Sequence, residues 1–195
     1  KTNSNSNGYG MKLTLDGALE FATPSGSSIF IGKGTPASEN FSRTTVVGDY
    51  AMQNVDLNDN SEDHTAIGYG ALYNFVDGSN DYGNTAVGSK AAYNLSNGSY
   101  NTFLGFNANV ALTDLSNATA IGANAVVAQS NSLVLGDTTN VKVGIGTGEP
   151  SANLHVDGTF RLQGNGAAPG RVLTSDADGN ATWMDGGGGG GGWAL

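Results

Sequence analysis

Apolar positions in this chain fall into short alternating triplets closed by glycine, each followed by a polar stretch. An apolar residue followed by Gly recurs seven times between Ser28 and Asn140, as Ile31-Gly32, Val47-Gly48, Ile67-Gly68, Val87-Gly88, Leu104-Gly105, Ile121-Gly122 and Leu135-Gly136. The five central copies carry Thr three residues before the Gly (Thr45, Thr65, Thr85, Thr102, Thr119) and Ala three residues after it (Ala51, Ala71, Ala91, Ala108, Ala125). Gly-to-Gly spacings are 16, 20, 20, 17, 17 and 14. A unit of that length is too short for the helix pairs of a helical repeat and fits one coil of a β-solenoid. Each coil is predicted to supply a short T-x-I-G strand, a turn, a second short strand and a loop. Alternation puts Thr65 and Ile67 on one face and Ala66 on the other. Gly68 ends the strand where the backbone turns sharply or takes a positive φ, and Ala71 fills a site with room for little more than a methyl.

A single coil leaves its strand edges open and its apolar side wet, so stacking is required. At about 4.8 Å per coil, seven coils span about 30 Å, and the residues preceding each Gly form an aliphatic ladder whose burial contributes roughly 1.5 to 3 kcal/mol per side chain. That ladder is expected to be the buried row. The opposite face, with Val46, Ala66, Ala86, Phe103, Ala120 and Val134, is also apolar or small. A lone thin solenoid leaves one of the two exposed, and threefold self-association covers it economically. The Thr row shares the parity of the aliphatics, so it is expected to hydrogen-bond inward along the stack, against the reading of a Thr ladder as an ice-binding surface.

N-A-T-A-I-G-A-N-A-V-V-A (Asn117 to Ala128) and N-S-L-V-L-G (Asn131 to Gly136) resemble the head repeats of trimeric autotransporter adhesins. The longer copies T-A-I-G-Y-G-A-L-Y-N (Thr65 to Asn74) and N-T-A-V-G-S-K-A-A-Y-N (Asn84 to Asn94) are similar to repeats in tail-fibre-like surface proteins of bacteria and phages. So is V-G-I-G-T-G-E-P-S-A-N-L-H-V-D-G (Val143 to Gly158), which in that group marks the exit from the roll. The resemblance implies left-handed parallel β-rolls that trimerise, outside a cell or on a virion surface. It specifies architecture far more than ligand.

The expected fold is therefore all-β: a parallel β-roll (β-solenoid) of short coils, intertwined in a homotrimer and flanked by small β collars. Residues 1–27 are assigned to a linker and N-terminal collar, 28–140 to the roll, 141–185 to a C-terminal collar and 186–195 to a Gly-rich linker. In the first collar, L-T-L-D-G-A-L-E-F (Leu13 to Phe21) reads as a hairpin around Asp16-Gly17, with Leu13, Leu15, Leu19 and Phe21 as the buried row. The words return in L-H-V-D-G-T-F-R-L (Leu154 to Leu162), either as a second collar of paired strands or as a bend in a continuous one. A strand, a Gly-rich turn and a strand ending at Trp183 follow. The start at Lys1 without Met, and the end just after seven consecutive glycines, suggest a piece of something longer.

Composition narrows the function. The chain has 195 residues, 31 of them Gly, and 13% charged residues with a formal net charge of −9. The eight basic residues are scattered, which argues against a nucleic-acid partner. Apolar runs are too short for a membrane span, and the absence of cysteine excludes disulfides. His64 and His155 lack a nucleophile motif or a metal-ligand spacing, and Gly144 to Glu149 is a Gly loop with no helix behind it to hold an anion. No catalysis and no cofactor are expected.

Spacer loops on a rigid scaffold are where binding usually resides. Tyr73, Tyr82, Tyr93 and Tyr100, with Asp77 and Asp81, are the candidate contacts for a glycan or cell-surface receptor, by ring stacking and hydrogen bonds to hydroxyls. The competing and commoner role for Tyr beside a turn is packing over the coils. Asp56, Asp59, Glu62, Asp63, Asp77 and Asp81 are of the type that binds Ca²⁺. The EF-hand spacing begun at Asp56, Asn58 and Asn60 fails, however, at Ser61 and Ile67, as does Asp176 to Asn180 at Ala181, so solvated acidic loops are expected instead. The function read from the sequence is a structural or adhesive extracellular fibre segment, or alternatively a receptor-binding tail fibre of a phage or contractile injection system. A solenoid enzyme acting on carbohydrate ranks below both, because the acids lie in loops rather than on strands.

Overall fold

The structure is a computed structural model that describes residues 10–13, 19–22, 28–35, 42–55, 62–76, 81–139, 141–164 and 166–186. Among these residues every regular element is a β-strand. The chain divides into two units, Lys1–Val143 and Gly144–Leu195.

The first unit is a parallel β-solenoid. Strands β1 (Gly10–Leu13) and β2 (Leu19–Ala22) form an antiparallel pair ahead of it, with Leu13 opposite Leu19 and Met11 opposite Phe21. The expected hairpin is present; its turn, with Leu15, Asp16 and Gly17, lies outside the described residues. Each repeated phrase then supplies one strand: β3 (Ile29–Ile31), β4 (Thr45–Val47), β5 (Thr65–Ile67), β6 (Thr85–Val87), β7 (Thr102–Leu104), β9 (Thr119–Ile121) and β11 (Leu133–Leu135). They form one seven-stranded parallel sheet in the order of the chain, with β8 (Asn109–Val110) and β10 (Val126–Val127) paired on a second side. Register follows the phrase, Thr45 pairing with Thr65, Thr65 with Thr85, Thr85 with Thr102 and Thr102 with Thr119. Hydrogen bonds consequently run from coil to coil, as in Gly68 N–H to Val47 O (2.7 Å) and Gly88 N–H to Ile67 O (2.8 Å).

Among the described residues the second strand expected in every coil forms only in the coils after β7 and β9. In the coils after β4, β5 and β6 Ala51–Asn54, Ala71–Asn74 and Ala91–Asn94 are turns. Met52, Leu72 and Ala92 there take φ near +50° (50°, 51° and 53°). Local bonds such as Phe75 N–H to Leu72 O (3.2 Å) replace the strand.

The two faces of the main sheet are the reverse of the expectation. Val46, Ala66, Ala86, Phe103 and Ala120, the middle residues of their strands, are fully buried. The aliphatics before each Gly point outward: Ile67 is 38% exposed, Leu104 48% and Ile121 36%. The core is completed by the Ala three residues after each Gly, by Met52, Leu72 and Ala92 beyond it, and by Val55, Phe75 and Leu95. The interior is shared between the middle strand residue, Ala66, Ala86 or Ala120 in three coils but Val46 and Phe103 in two others, and the side chains that follow the Gly. The residue before each Gly, of opposite parity, is left outside. The Thr row goes with it, half-buried on the outer face, so the inward hydrogen bonding expected of that row is also corrected.

Glycine makes the close stacking of coils feasible. A Cβ placed on Gly68 would lie 2.5 Å from the carbonyl oxygen of Gly88 in the next coil, and its φ is +130°. Only glycine accommodates both the contact and the angle.

The second unit carries two small pairs. Strand β12 (Val143–Ile145) pairs with β13 (Leu154–Val156), and β14 (Arg171–Ser175) with β15 (Ala181–Asp185) as an antiparallel hairpin. The second copy of the Leu-x-x-Asp-Gly phrase thus does not repeat the first. Its strand pairs backward onto Val143–Ile145, and Thr159–Leu162 forms no strand. The β14–β15 turn is closed by Asp176, whose carboxylate accepts hydrogen bonds from Asn180 N–H (2.8 Å), Asn180 Nδ2 (3.0 Å) and Asp178 N–H (3.0 Å).

Candidate functional site

Three features of the solenoid bear on function: the outer face of the sheet, a buried polar column and a tyrosine-lined groove. The outer face presents Ile31, Val47, Ile67, Val87, Leu104, Ile121 and Leu135 in register, with the Thr row beside them.

The polar column is formed by the fourth residue before each Gly: Ser28, Thr44, His64, Asn84 and Asn101, all buried. Each side chain accepts the backbone N–H of its successor. Thr44 N–H donates to Ser28 Oγ (3.0 Å), His64 N–H to Thr44 Oγ1 (3.4 Å), Asn84 N–H to His64 Nδ1 (3.2 Å), Asn101 N–H to Asn84 Oδ1 (3.0 Å) and Ala118 N–H to Asn101 Oδ1 (2.9 Å). The Asn amides also donate to Gly98 O and Leu115 O, each at 2.6 Å. Sequence inspection missed this column, although aligning the copies on their Gly exposes it. His64 packs edge-on against Phe75 at 5.0 Å. Burial pushes its pKa down to about 4, against the backbone and carboxylate of Asp81 and the carboxylate of Asp63.

The candidate contact residues divide into two groups. Tyr73 and Tyr93, both the fifth residue after their Gly, stack face to face at 4.7 Å and 9°. With Tyr50, Gln53, Tyr69 and Lys90 they line a groove of about 360 Å³. Tyr50 meets Tyr69 edge-on at 5.7 Å, while Lys90 Nζ lies 6.0 Å from the Tyr93 ring centre. Tyr82 and Tyr100 lie instead at the corner before the strands, where Tyr100 N–H donates to Tyr82 O (2.8 Å) and Ser99 Oγ to Asp81 Oδ1 (3.5 Å). Asp77 lies outside the described residues. Tyr50, Tyr69 and Lys90 were not singled out from sequence, because they follow the Gly directly instead of occupying the spacer loops; Gln53 shares the fifth position with Tyr73 and Tyr93 but carries no ring.

Among the described residues no three His, Cys, Asp or Glu side chains converge as a metal site would require. Asp56, Asp59 and Asp77 lie outside them, while Glu62 and Asp63 are held by Arg43 from the neighbouring coil. The hydrogen bond from Arg43 keeps the Asp63 carboxyl below its usual range. His155 Nδ1 accepts the backbone N–H of Ser151 (3.2 Å), and Ser151 Oγ stands 3.5 Å away. That nitrogen is already engaged as an acceptor, so it is poorly placed to activate the hydroxyl. No protein-family model, no curated protein and no solved structure matches the chain.

Proposed function

We propose that this chain is a structural segment of an extracellular fibre, assembled as a homotrimer that spaces or displays a binding surface and performs no catalysis. One observation carries the reading: the in-register ladder of outward aliphatic residues along the seven-stranded sheet, with Ile31 and Leu135 at its ends each 44% exposed. Covering the exposed part of each side chain stabilises by up to about 1 kcal/mol, or at most about 7 kcal/mol per protomer before the costs of association. The half-buried Thr hydroxyls beside the ladder keep the face amphipathic, which suits closure against two sister faces around an axis. The repeat wording, which resembles trimeric adhesin heads and tail-fibre-like proteins, supports the same assembly.

Light scattering on the purified chain at micromolar concentration tests it. A mass three times that of the chain is expected, falling to a single chain in the double variant Ile67→Lys, Leu104→Lys. A wild-type monomer, or a lysine variant that stays trimeric, refutes the assembly. In a monomer the outward Thr row stands free, and measuring thermal hysteresis in freezing solution then tests whether it binds ice.

A further inference from the structure

We infer that the tyrosine groove is a binding site for an acidic carbohydrate, a chain bearing carboxylate-substituted sugar rings. The inference goes beyond the assembly proposed above and does not require it.

The groove is built by three consecutive coils, those that follow β4, β5 and β6. The second residue after each Gly lies at a corner with left-handed backbone in the first six copies. That corner is occupied in turn by Gly34 (φ 71°), Tyr50 (60°), Gly70 (61°), Lys90 (59°), Asn107 (53°) and Asn124 (57°). Gly and Asn are the residues that tolerate this conformation. Only Tyr50 and Lys90 break the rule, and both line the groove. Strain at Met52, Leu72 and Ala92 is offset by complete burial, whereas Lys90 is exposed and Tyr50 only half-buried. Arg43, Asp63 and Tyr100 take the same left-handed backbone at another corner without full burial, so the groove is marked by its lining and not by backbone strain. Gly70, between them, leaves a notch where a side chain would otherwise stand.

The lining fixes the ligand class. Tyr69 is 51% exposed and, set edge-on to Tyr50, offers its exposed surface as a platform for the C–H face of a sugar. The stacked Tyr73 and Tyr93 form a rigid wall with phenol hydroxyls, and Gln53 adds an amide, so hydroxyl-rich ligands find donors and acceptors on apolar faces. A volume of about 360 Å³ is at the low end for small-ligand sites, enough for a short stretch of a glycan. Lys90 supplies the charge: among the described residues it pairs with no carboxylate, in a chain of formal net charge −9. An anionic ring substituent complements it.

Isothermal titration of the wild-type protein with a uronic-acid tetrasaccharide, and with the same tetrasaccharide after carboxyl reduction, tests the inference. Saturable binding of the acidic probe is expected, weaker by about threefold or more in the reduced probe and in Lys90→Asn, and by about tenfold in Tyr69→Ala. Gly70→Asn supports the site if it abolishes binding while the circular dichroism spectrum is unchanged. Asn suits the backbone there as it does at Asn107 and Asn124, and its Cβ would stand at 3.5 Å from the Tyr93 ring. No binding of the acidic probe at millimolar concentration, equal binding of both probes, or binding unaffected by Gly70→Asn overturns it. Light scattering on each variant separates the outcomes: a Tyr69→Ala chain with altered oligomeric state would make the groove an interface between chains and overturn the inference, whereas a monomeric wild type that binds the probe would overturn only the assembly.

Discussion

Lowering the pH should loosen the solenoid at one identifiable place, His64. Its imidazole is fully buried, with Nδ1 accepting Asn84 N–H and Phe75 against the ring. Nδ1 as acceptor places the proton on Nε2, which has no hydrogen-bond partner. A second proton would break the polar column and bury a charge. The folded chain holds the group neutral to about pH 4, whereas the unfolded chain takes up the proton near 6.5. Between these values the unfolded state binds more protons, so stability is full above about pH 6.5 and falls as pH drops toward 4. The slope reaches about 1.4 kcal/mol per pH unit, for a total of about 3 kcal/mol. Urea unfolding of wild type and His64→Asn, from pH 8 to 4 at fixed chain concentration, isolates the effect. Asn is the residue of the next two coils, and its oxygen can accept the Asn84 N–H. At pH 8 the variant is offset by its lost ring packing, so the diagnostic quantity is the change in the difference with pH. Asp63 and Asp176, held below their usual range by hydrogen bonds from Arg43 and Asn180 respectively, are common to both proteins. Curves that run parallel from pH 8 to 4 would refute the reasoning.

Other substitutions probe the remaining columns. Asn101→Ala removes the acceptor for Ala118 N–H and the donor to Leu115 O and Asn84 Oδ1, and is expected to cost about 3 kcal/mol in urea unfolding. Gly68→Ala sets a methyl against the Gly88 carbonyl and should cost about 3 kcal/mol or more, or prevent folding, as read by the circular dichroism melt. Arg43→Ala leaves an exposed left-handed corner and removes exposed ion pairs to Glu62 and Asp63, so its melting temperature should respond little to added salt.

The register of the sheet was legible because one phrase repeats at fixed offsets, so Thr65 had to meet Thr45 and Thr85 whatever lay between. Its orientation was harder to read. Ile67 is the most hydrophobic residue of its strand and Ala66 the least bulky, so hydropathy favoured burying Ile67. The other side of the coil decided otherwise: Ala71, Leu72 and Phe75 already fill the interior opposite Ala66, and Ile67 lies on the outer face. The paired tyrosines Tyr73 and Tyr93 were visible as turn residues, but their neighbours were not, since Tyr69, Tyr50 and Lys90 occupy offsets whose identity changes from coil to coil. A left-handed corner filled by Gly, Tyr, Gly, Lys, Asn and Asn has a signature only when the copies are aligned on the preceding Gly. The words around Asp157-Gly158 misled for a different reason: a short strand takes whichever partner edge is nearest, and for Leu154–Val156 that is Val143–Ile145.

The columns also explain why chemistry concentrates where it does. Every residue of a coil is stacked on its counterparts above and below, so a position is constrained by what its whole column does. The Gly column is fixed by contact with the next carbonyl, the middle strand residue and the following Ala by their place in the core, and the fourth residue before Gly by the need to accept a buried N–H. The Thr and aliphatic columns keep their character along the outer face. What remains free to vary are the first and second residues after Gly, the spacer loops, and the fifth residue after Gly in the coils where it is not in the core as Val110 and Val127 are. In the coils after β4, β5 and β6 those nine positions hold four tyrosines, a glutamine, a lysine and a notch at the groove, with Asp49 and Ser89 beside them, while the same offsets after β9 carry Ala123, Asn124 and Val127. Stacking energetics do not call for aromatic rings there, since the coil after β9 holds its backbone bonds to its neighbours without them. The concentration of rings on three coils is therefore best explained by what they face outside the solenoid.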